Sequence, residues 1–203
     1  MGYNIDLYFG LPGCGKSTLM AAIALRAVRS GRRVYSNMPL NIPGVYSFDA
    51  DWLGKYLIEN ALVLLDEGTI LFDSRDFKNF GRQKTDYFMR YRHYRCDIKI
   101  FVQRWDAVDL KIRSVTSRVY YVYRGLFLGH WFSSYVRVPY KLVWATDSNG
   151  KPTAGDILMG YKRPAFGTRV FAHRVYRPKY YRYFDSYSHP DLPLPPTYEY
   201  CPS

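Results

Sequence analysis

Cysteine is scarce in this chain of 203 residues, and long apolar runs are missing. The cysteines Cys14, Cys96 and Cys201 are odd in number and lack metal-ligand spacing, which excludes a disulfide-rich scaffold and favours a reducing compartment. No uncharged apolar run approaches the roughly 20 residues of a membrane-spanning helix. The first six residues lack the basic and apolar regions of a signal peptide. We therefore expect a soluble cytoplasmic protein without a transmembrane segment.

Acidic residues are also few: the sequence has 17 Asp and Glu but 29 Lys and Arg, which gives a net charge of +12. Residues 118–203 hold 12 of the cationic residues but only 5 of the acidic ones, together with 13 of the 21 tyrosines. This balance favours a polyanionic partner, either nucleic acid or an acidic membrane surface. Tyrosine rings can stack on bases while arginines pair with phosphates. The alternative is that these tyrosines are simply good strand formers.

A phosphate-binding motif begins at Gly10, where the sequence GLPGCGKS matches G-x-x-x-x-G-K-S completely. It follows the apolar stretch Ile5 to Phe9 and precedes a helical pattern, which is the strand–loop–helix context that the motif requires. The loop would wrap a triphosphate with backbone N–H groups, Lys16 would reach the β- and γ-phosphates, and the Ser17 hydroxyl would help hold Mg²⁺. The predicted nucleotide-contacting residues are Gly10, Pro12, Gly13, Cys14, Gly15, Lys16, Ser17 and Thr18.

A second apolar strand, Ala61 to Leu65, ends in two adjacent carboxylates, Asp66 and Glu67. Open α/β sheets place ligands at this end of their strands. Asp66 is the predicted Mg²⁺ ligand beside Ser17. Glu67 is the predicted catalytic base, because a carboxylate near the γ-phosphate can polarise an attacking water. A water-activating glutamate favours a nucleoside triphosphatase over a small-molecule kinase.

A third strand, Asp97 to Val102, is followed by Gln103, which could sense the γ-phosphate or orient water. An ordinary polar residue at the end of a strand is the alternative. Arg113 is the candidate arginine finger, supplied by a neighbouring subunit to stabilise charge in the transition state. The arginines that compete for this role are Arg82, Arg90, Arg92 and Arg104.

The alternation of strands and helices predicts an α/β fold, a P-loop NTPase with a mainly parallel central sheet flanked by helices. Helices are expected after the loop to near Gly31, from Trp52 to Ile58 and from Thr85 to Tyr94. Beyond Arg113 the β-branched and aromatic runs predict a β-rich extension of antiparallel strands or hairpins. The predicted runs are 118–124, 131–135, 136–143 and 169–176. The predicted domains are a P-loop ATPase core at 1–117, a basic Tyr/Arg-rich β extension at 118–188 and a Pro-rich tail at 189–203.

With these motifs in place, the sequence resembles the zonula-occludens-toxin-like family of filamentous phage assembly and export ATPases, within the FtsK–HerA class of P-loop motors. The resemblance spans roughly residues 3–188 and rests on the order and spacing of several segments. Besides the loop and Asp66-Glu67, these are Val34-Tyr35-Ser36-Asn37-Met38-Pro39, Arg92-His93 leading to the strand at 97–103, Val108-Asp109 to Arg113, and Tyr183-Phe184-Asp185-Ser186-Tyr187.

The resemblance implies a homo-oligomeric ATPase, forming a ring, that uses ATP and Mg²⁺ to drive single-stranded phage DNA through the host envelope. It assigns Lys16, Ser17, Asp66, Glu67 and Gln103 the roles argued above. Family members commonly continue into a transmembrane helix, which this sequence does not contain. A phage coat or host membrane partner protein, or contact of the basic C-terminal part with anionic lipid, is then expected to bring the chain to the inner face of the membrane.

Two other functions are left open by the sequence. One is a nucleotide or nucleoside kinase, in which the arginines between Arg82 and Arg95 would form a lid. The other is a non-hydrolysing, nucleotide-gated scaffold that docks on membrane or coat proteins.

Overall fold

The computed structural model describes residues 3–66, 82–105, 108, 110–124, 133–137, 142–146, 152–158 and 171–185. Within this part of the chain, three α-helices are α1 (Lys16–Arg29), α2 (Arg82–Arg90) and α3 (Leu110–Val115). The strands are β1 (Ile5–Phe9), β2 (Arg33–Ser36), β3 (Val45–Ser47), β4 (Ala61–Leu65), β5 (Asp97–Val102), β6 (Arg118–Arg124), β7 (Ser133–Arg137), β8 (Leu142–Thr146), β9 (Pro152–Leu158) and β10 (Phe171–Tyr176).

Eight of these strands form one sheet in the order β10-β7-β6-β1-β5-β4-β2-β3. The six strands from β6 to β3 are mutually parallel. Beyond β6, strands β7 and β10 continue the sheet in antiparallel pairing. Strands β8 and β9 form a separate antiparallel pair. The prediction of a mainly parallel P-loop NTPase sheet is confirmed.

Both faces of the central strands are buried, as parallel sheets require. In β1, Ile5, Leu7 and Phe9 face one layer, where they pack with residues of α2 and α3 such as Phe88 and Ile112. The alternate side chain, Tyr8, faces α1 on the other side of the sheet. Its ring stacks between those of Phe101 and Tyr120, with centroids 4.9 and 4.8 Å away. The period-two alternation of a strand therefore decides which residues meet each helical layer.

Residues 118–124 form a strand, but its predicted antiparallel pairing is wrong. β6 pairs in parallel with β1, with Tyr8 opposite Tyr120. The reason is the α3 connection, which carries the chain from β5 back to the start of β6, and such a strand–helix–strand crossover gives parallel strands. The central sheet thus continues across the predicted boundary at residue 117. β7 and β10 have the predicted antiparallel pairing.

The predicted helix from Trp52 to Ile58 is also wrong. A single 3₁₀ turn, Ala50–Trp52, stands there, capped by the Asp49 side chain, which accepts from the Asp51 N–H. Gly54 follows with a φ of 81°, which ends any helix. The helix predicted at 85–94 is α2, which begins earlier and ends at Arg90.

Candidate nucleotide-binding site

The predicted phosphate-binding loop connects β1 to α1 at the carboxyl edge of the sheet, between the neighbouring ends of β5 and β6. Gly15 has a φ of 98° and accepts the first helical hydrogen bond, from the Leu19 N–H, at 3.0 Å. A Cβ on Gly15 would collide with Ser134 Oγ, and one on Gly10 would collide with the Val122 carbonyl oxygen. The loop is therefore shaped by backbone conformation at Gly15 and by close packing at both glycines.

Lys16 lies over the loop with its ammonium group on two loop carbonyls. Its Nζ donates to the Gly10 oxygen at 2.6 Å and to the Leu11 oxygen at 3.2 Å. The charge is thus held at the mouth of the loop, where phosphate oxygens could replace carbonyl oxygens as its acceptors.

Cys14 contributes to the loop through its backbone, and its thiol points into the core beside α1. Its N–H donates to the Leu11 carbonyl at 3.2 Å. Burial raises the pKa of the thiol above its ordinary value of 9.0, although the nearby Lys16 charge acts in the opposite direction. The side chain is therefore a small neutral residue under the loop, not a thiolate.

Asp66 follows β4 and is oriented by Asn37, which follows the adjacent strand β2. The Asp66 N–H donates to Asn37 Oδ1 at 2.6 Å, and Asn37 Nδ2 donates to the Asp66 carbonyl at 3.0 Å. In the sequence, Asn37 stands out only as part of the segment at 34–39 that resembles the family, and no local pattern assigns it a role. Its position at the end of a strand could have indicated a site residue. Only the pairing of β2 with β4 shows that this strand end lies beside Asp66.

One cavity of about 780 Å³ brings most of the predicted residues together. From the loop and the strand ends it is lined by Pro12, Gly13, Gly15, Lys16, Ser17, Thr18, Asp66 and Gln103. Gly10 and Cys14 belong to the loop but are not among the residues that line the cavity. Glu67 lies outside the described residues, so its catalytic role stays a prediction.

Arg113 is not among the residues that line this cavity. It is only 8% exposed, and its guanidinium lies 5.6 Å from the centroid of the Trp105 ring. Acting as a finger toward a neighbouring subunit would require the side chain to leave this ring. That role stays a prediction, whereas Gln103 is exposed and lines the cavity.

The structure adds a wall to the site that the sequence did not indicate. A 3₁₀ helix, Arg177–Tyr183, follows β10, and the cavity lining includes Arg177, Tyr181, Phe184 and Asp185. From β7, Ser134 Oγ donates to the Cys14 carbonyl at 2.7 Å. For this Tyr/Arg-rich segment the sequence left both base stacking and simple strand formation open. Neither predicts a contact with a loop more than 160 residues away, because that contact depends on the tertiary fold.

The donor set fits a magnesium ion bound together with phosphates. Ser17 and Asp66 line the same cavity, and their side chains carry the oxygen ligands that Mg²⁺ prefers. Across the described ranges, no group of three or more His, Cys, Asp or Glu residues could hold a metal by itself. Mg²⁺ is typically held by one or two carboxylates together with substrate phosphates, so this sparse set is appropriate.

A family model described as "Zonular occludens toxin (Zot)" matches residues 47–164, more than half of the chain. No curated protein matched the chain. None of the helices in the described part of the chain is long and apolar enough to cross a membrane.

Among solved structures, the chain is similar to the N-terminal domain of zonular occludens toxin from Neisseria meningitidis, at 18% identity and a TM-score of 0.53 over 67% of this chain and 84% of that one. It is also similar to the genome packaging NTPase B204 of Sulfolobus turreted icosahedral virus 2. The B204 complex with sulfate gives 10% identity and a TM-score of 0.50, covering 68% of this chain and 92% of that chain. The B204 complex with ATP-gammaS gives 9% identity and a TM-score of 0.50, covering 66% of this chain and 92% of that chain. These likenesses establish a shared fold.

Proposed function

The chain belongs to the zonular occludens toxin (Zot) family, and from this premise we propose that it is a P-loop ATPase motor that moves single-stranded phage or mobile-element DNA during assembly, export or packaging. The observation that carries the proposal is the cavity that unites Lys16 and Ser17 with Asp66 and Gln103. A genome packaging NTPase with the same fold was solved with ATP-gammaS, which supports ATP as the nucleotide.

In this proposal the residues of the site act on the phosphates, on the metal ion and on the attacking water. The loop N–H groups and Lys16 bind the β- and γ-phosphates and stabilise their charge in the transition state. Ser17 and Asp66 would hold Mg²⁺, which supplies charge neutralisation on the phosphate oxygens. Glu67 accepts a proton from the attacking water, and Gln103 orients that water beside the γ-phosphate.

A nucleic-acid partner is supported by charge at the opposite edge of the sheet. A second cavity, of about 710 Å³, lies at the amino ends of β1, β5 and β6. Its lining has six cationic side chains but only two carboxylates, Asp6 and Asp97. The cationic residues are Arg26, Arg32, Arg95, Lys99, Arg118 and Arg174. Arg32 pairs with Asp97, and Lys99 and Arg118 pair with Asp6, so the carboxylates offset part of this charge. The lining keeps an excess of positive charge, which suits a phosphate backbone.

Self-association is part of the proposal, because an arginine finger in trans is supplied by a neighbouring subunit. Arg113 remains one candidate for the finger, and the exposed Arg104, directly after Gln103, is another. A homo-oligomeric ring at the inner face of the membrane, reached through a coat or membrane partner, is the arrangement we propose.

The test is phosphate release from ATP by the purified chain, with and without single-stranded DNA, in parallel with Glu67→Gln. We expect turnover that DNA stimulates and that Glu67→Gln abolishes. Glu59→Gln is the matched control, since Glu59 is an exposed glutamate before β4 and should keep wild-type turnover.

Two outcomes contradict the motor. ATP binding with no turnover in either condition supports the nucleotide-gated scaffold. Transfer of the γ-phosphoryl group to a nucleoside acceptor instead of water supports the kinase.

A further inference from the structure

Arg177 is built into the phosphate-binding loop from the far end of the chain. It is only 8% exposed, and its Nη1 donates to the Gly13 carbonyl oxygen at 3.3 Å. Its aliphatic part lies against Gly15, so that a Cβ on that glycine would come within 2.9 Å of Arg177 Cδ. The guanidinium is therefore held at the edge of the loop, and Arg177 lines the same cavity as Lys16 and Ser17.

The segment that carries Arg177 is anchored at both ends. At its start, Val175 of β10 is buried in the layer that also contains α1. At its end, the Tyr183 carbonyl accepts from the Asn41 N–H at 2.8 Å, and Tyr180, Tyr183 and Phe184 pack against the same layer. Because both ends are held, the side chains between them have a defined position at the loop, as a preorganised binding wall requires.

The same segment presents aromatic surface to the cavity. Tyr181 is 48% exposed, and its ring lies 6.5 Å from that of Phe184 at an interplanar angle of 81°. Both residues line the cavity beside the loop. An exposed tyrosine face next to a phosphate site can stack on a nucleobase.

We propose that the four residues of this segment that line the cavity, Arg177, Tyr181, Phe184 and Asp185, form the cis wall of the nucleotide site, in which Arg177 binds a phosphate group and Tyr181 stacks on the base. The inference rests on the proposed function, because it requires that the loop binds a nucleoside triphosphate. It assigns to the C-terminal segment a direct role in nucleotide affinity, so that the position of this segment and the occupancy of the loop are linked.

The test compares two probes that differ only in the nucleoside: Mg·ATP and magnesium tripolyphosphate, both titrated calorimetrically into the full chain. Arg177→Gln should weaken both probes about tenfold or more, the size expected for one charge-assisted hydrogen bond. Tyr181→Ala should weaken ATP about tenfold and leave tripolyphosphate unchanged, since only ATP carries a base. Arg182→Gln is the matched control, because Arg182 is an exposed arginine of the same 3₁₀ helix that lies over the Tyr183 ring.

The roles assigned to Arg177 and Tyr181 can be disproved while the proposed function stands. If the wild-type chain binds ATP in a Lys16-dependent way but Arg177→Gln and Tyr181→Ala bind as tightly as Arg182→Gln, the cis wall is wrong and the loop assignment stands. If the wild-type chain binds neither probe, both the cis wall and the nucleotide-binding function of the loop are wrong. Tyr181 is an exposed side chain, so Tyr181→Ala stays informative even where a substitution at the buried Arg177 prevents folding.

Discussion

Asn37 holds both backbone groups of Asp66, accepting from its N–H at 2.6 Å and donating to its carbonyl at 3.0 Å. The two residues follow neighbouring parallel strands, so this pairing fixes the chain where the predicted Mg²⁺ ligand leaves the sheet. Hydrogen bonds around a metal ligand help to fix its orientation.

Replacing Asn37 with alanine should therefore reduce Mg²⁺-dependent ATP turnover about tenfold or more. The measurement is the initial rate as a function of Mg²⁺ concentration, where we expect a higher Mg²⁺ requirement for Asn37→Ala. Asn41→Ala provides the control, because Asn41 is an exposed asparagine in the same connection. Equal Mg²⁺ requirements for the two variants would contradict a positioning role.

Gly15 and Gly31 show two different requirements for glycine, a left-handed backbone conformation and a lack of room for a Cβ atom. Both have positive φ, 98° and 75°, but a Cβ would collide with Ser134 only at Gly15, whereas nothing lies within 4 Å of one at Gly31. Gly31→Ala should cost about 1 kcal/mol of unfolding free energy, for the left-handed conformation alone. Gly15→Ala should cost about 1–3 kcal/mol more, for overpacking. Denaturant unfolding of both variants measures the difference, and similar losses would show that the Ser134 contact is unimportant.

Asp6 is a buried carboxylate that joins three parallel strands. Its side chain is 2% exposed and pairs with Lys99 of β5 and with Arg118 of β6, whose Nε lies 2.8 Å away. Asp6→Ala should destabilise the chain by about 3 kcal/mol, because it leaves cationic groups without their carboxylate. Asp51→Ala removes an ion pair with Lys84 in which the Asp51 side chain is 61% exposed. This substitution should lower the free energy of unfolding by less than about 1 kcal/mol. Chemical denaturation distinguishes the two, and a loss at Asp6 as small as that at Asp51 would contradict this assignment.

Cys14 should react slowly with alkylating reagents although it lies in the loop. The thiolate is the reactive form, and burial raises the thiol pKa above 9.0, so little thiolate exists at neutral pH. Mass spectrometry after iodoacetamide treatment at pH 7 should find Cys14 modified far more slowly in the native chain than in the denatured one. The rate should increase as the pH rises toward the raised pKa. Comparable rates in the two states at pH 7 would mean that the thiol is exposed.

The parts of the fold that were predicted correctly depend on local pattern. The loop from Gly10 to Ser17 carries its own glycines and lysine, and apolar runs such as Ala61–Leu65 are typical of strands buried on both faces. The position of Asp66 and Gln103 on the cavity followed from one rule about parallel strands, that their carboxyl ends share an edge.

The parts that were missed depend on which distant segments pair. The sequence of Arg118–Arg124 is compatible with either strand direction, and only its place beside β1 makes it parallel. Arg177 gave no local signal that set it apart from the other arginines of the Tyr-rich segment, since its contact with Gly13 arises from the docking of β10 and the 3₁₀ helix. Asn37 acquires its role only when β2 lies next to β4.

The most direct measurement is equilibrium binding of Mg·ATP to the wild-type chain, Lys16→Ala and Lys55→Ala. Lys55 is an exposed lysine remote from the loop in sequence and serves as the matched control. If the loop is a nucleotide site, the wild type and Lys55→Ala bind one ATP per chain with equal affinity, and Lys16→Ala binds at least about tenfold more weakly. Absence of binding by the wild type, or equal binding by all three, would contradict the assignment of this loop.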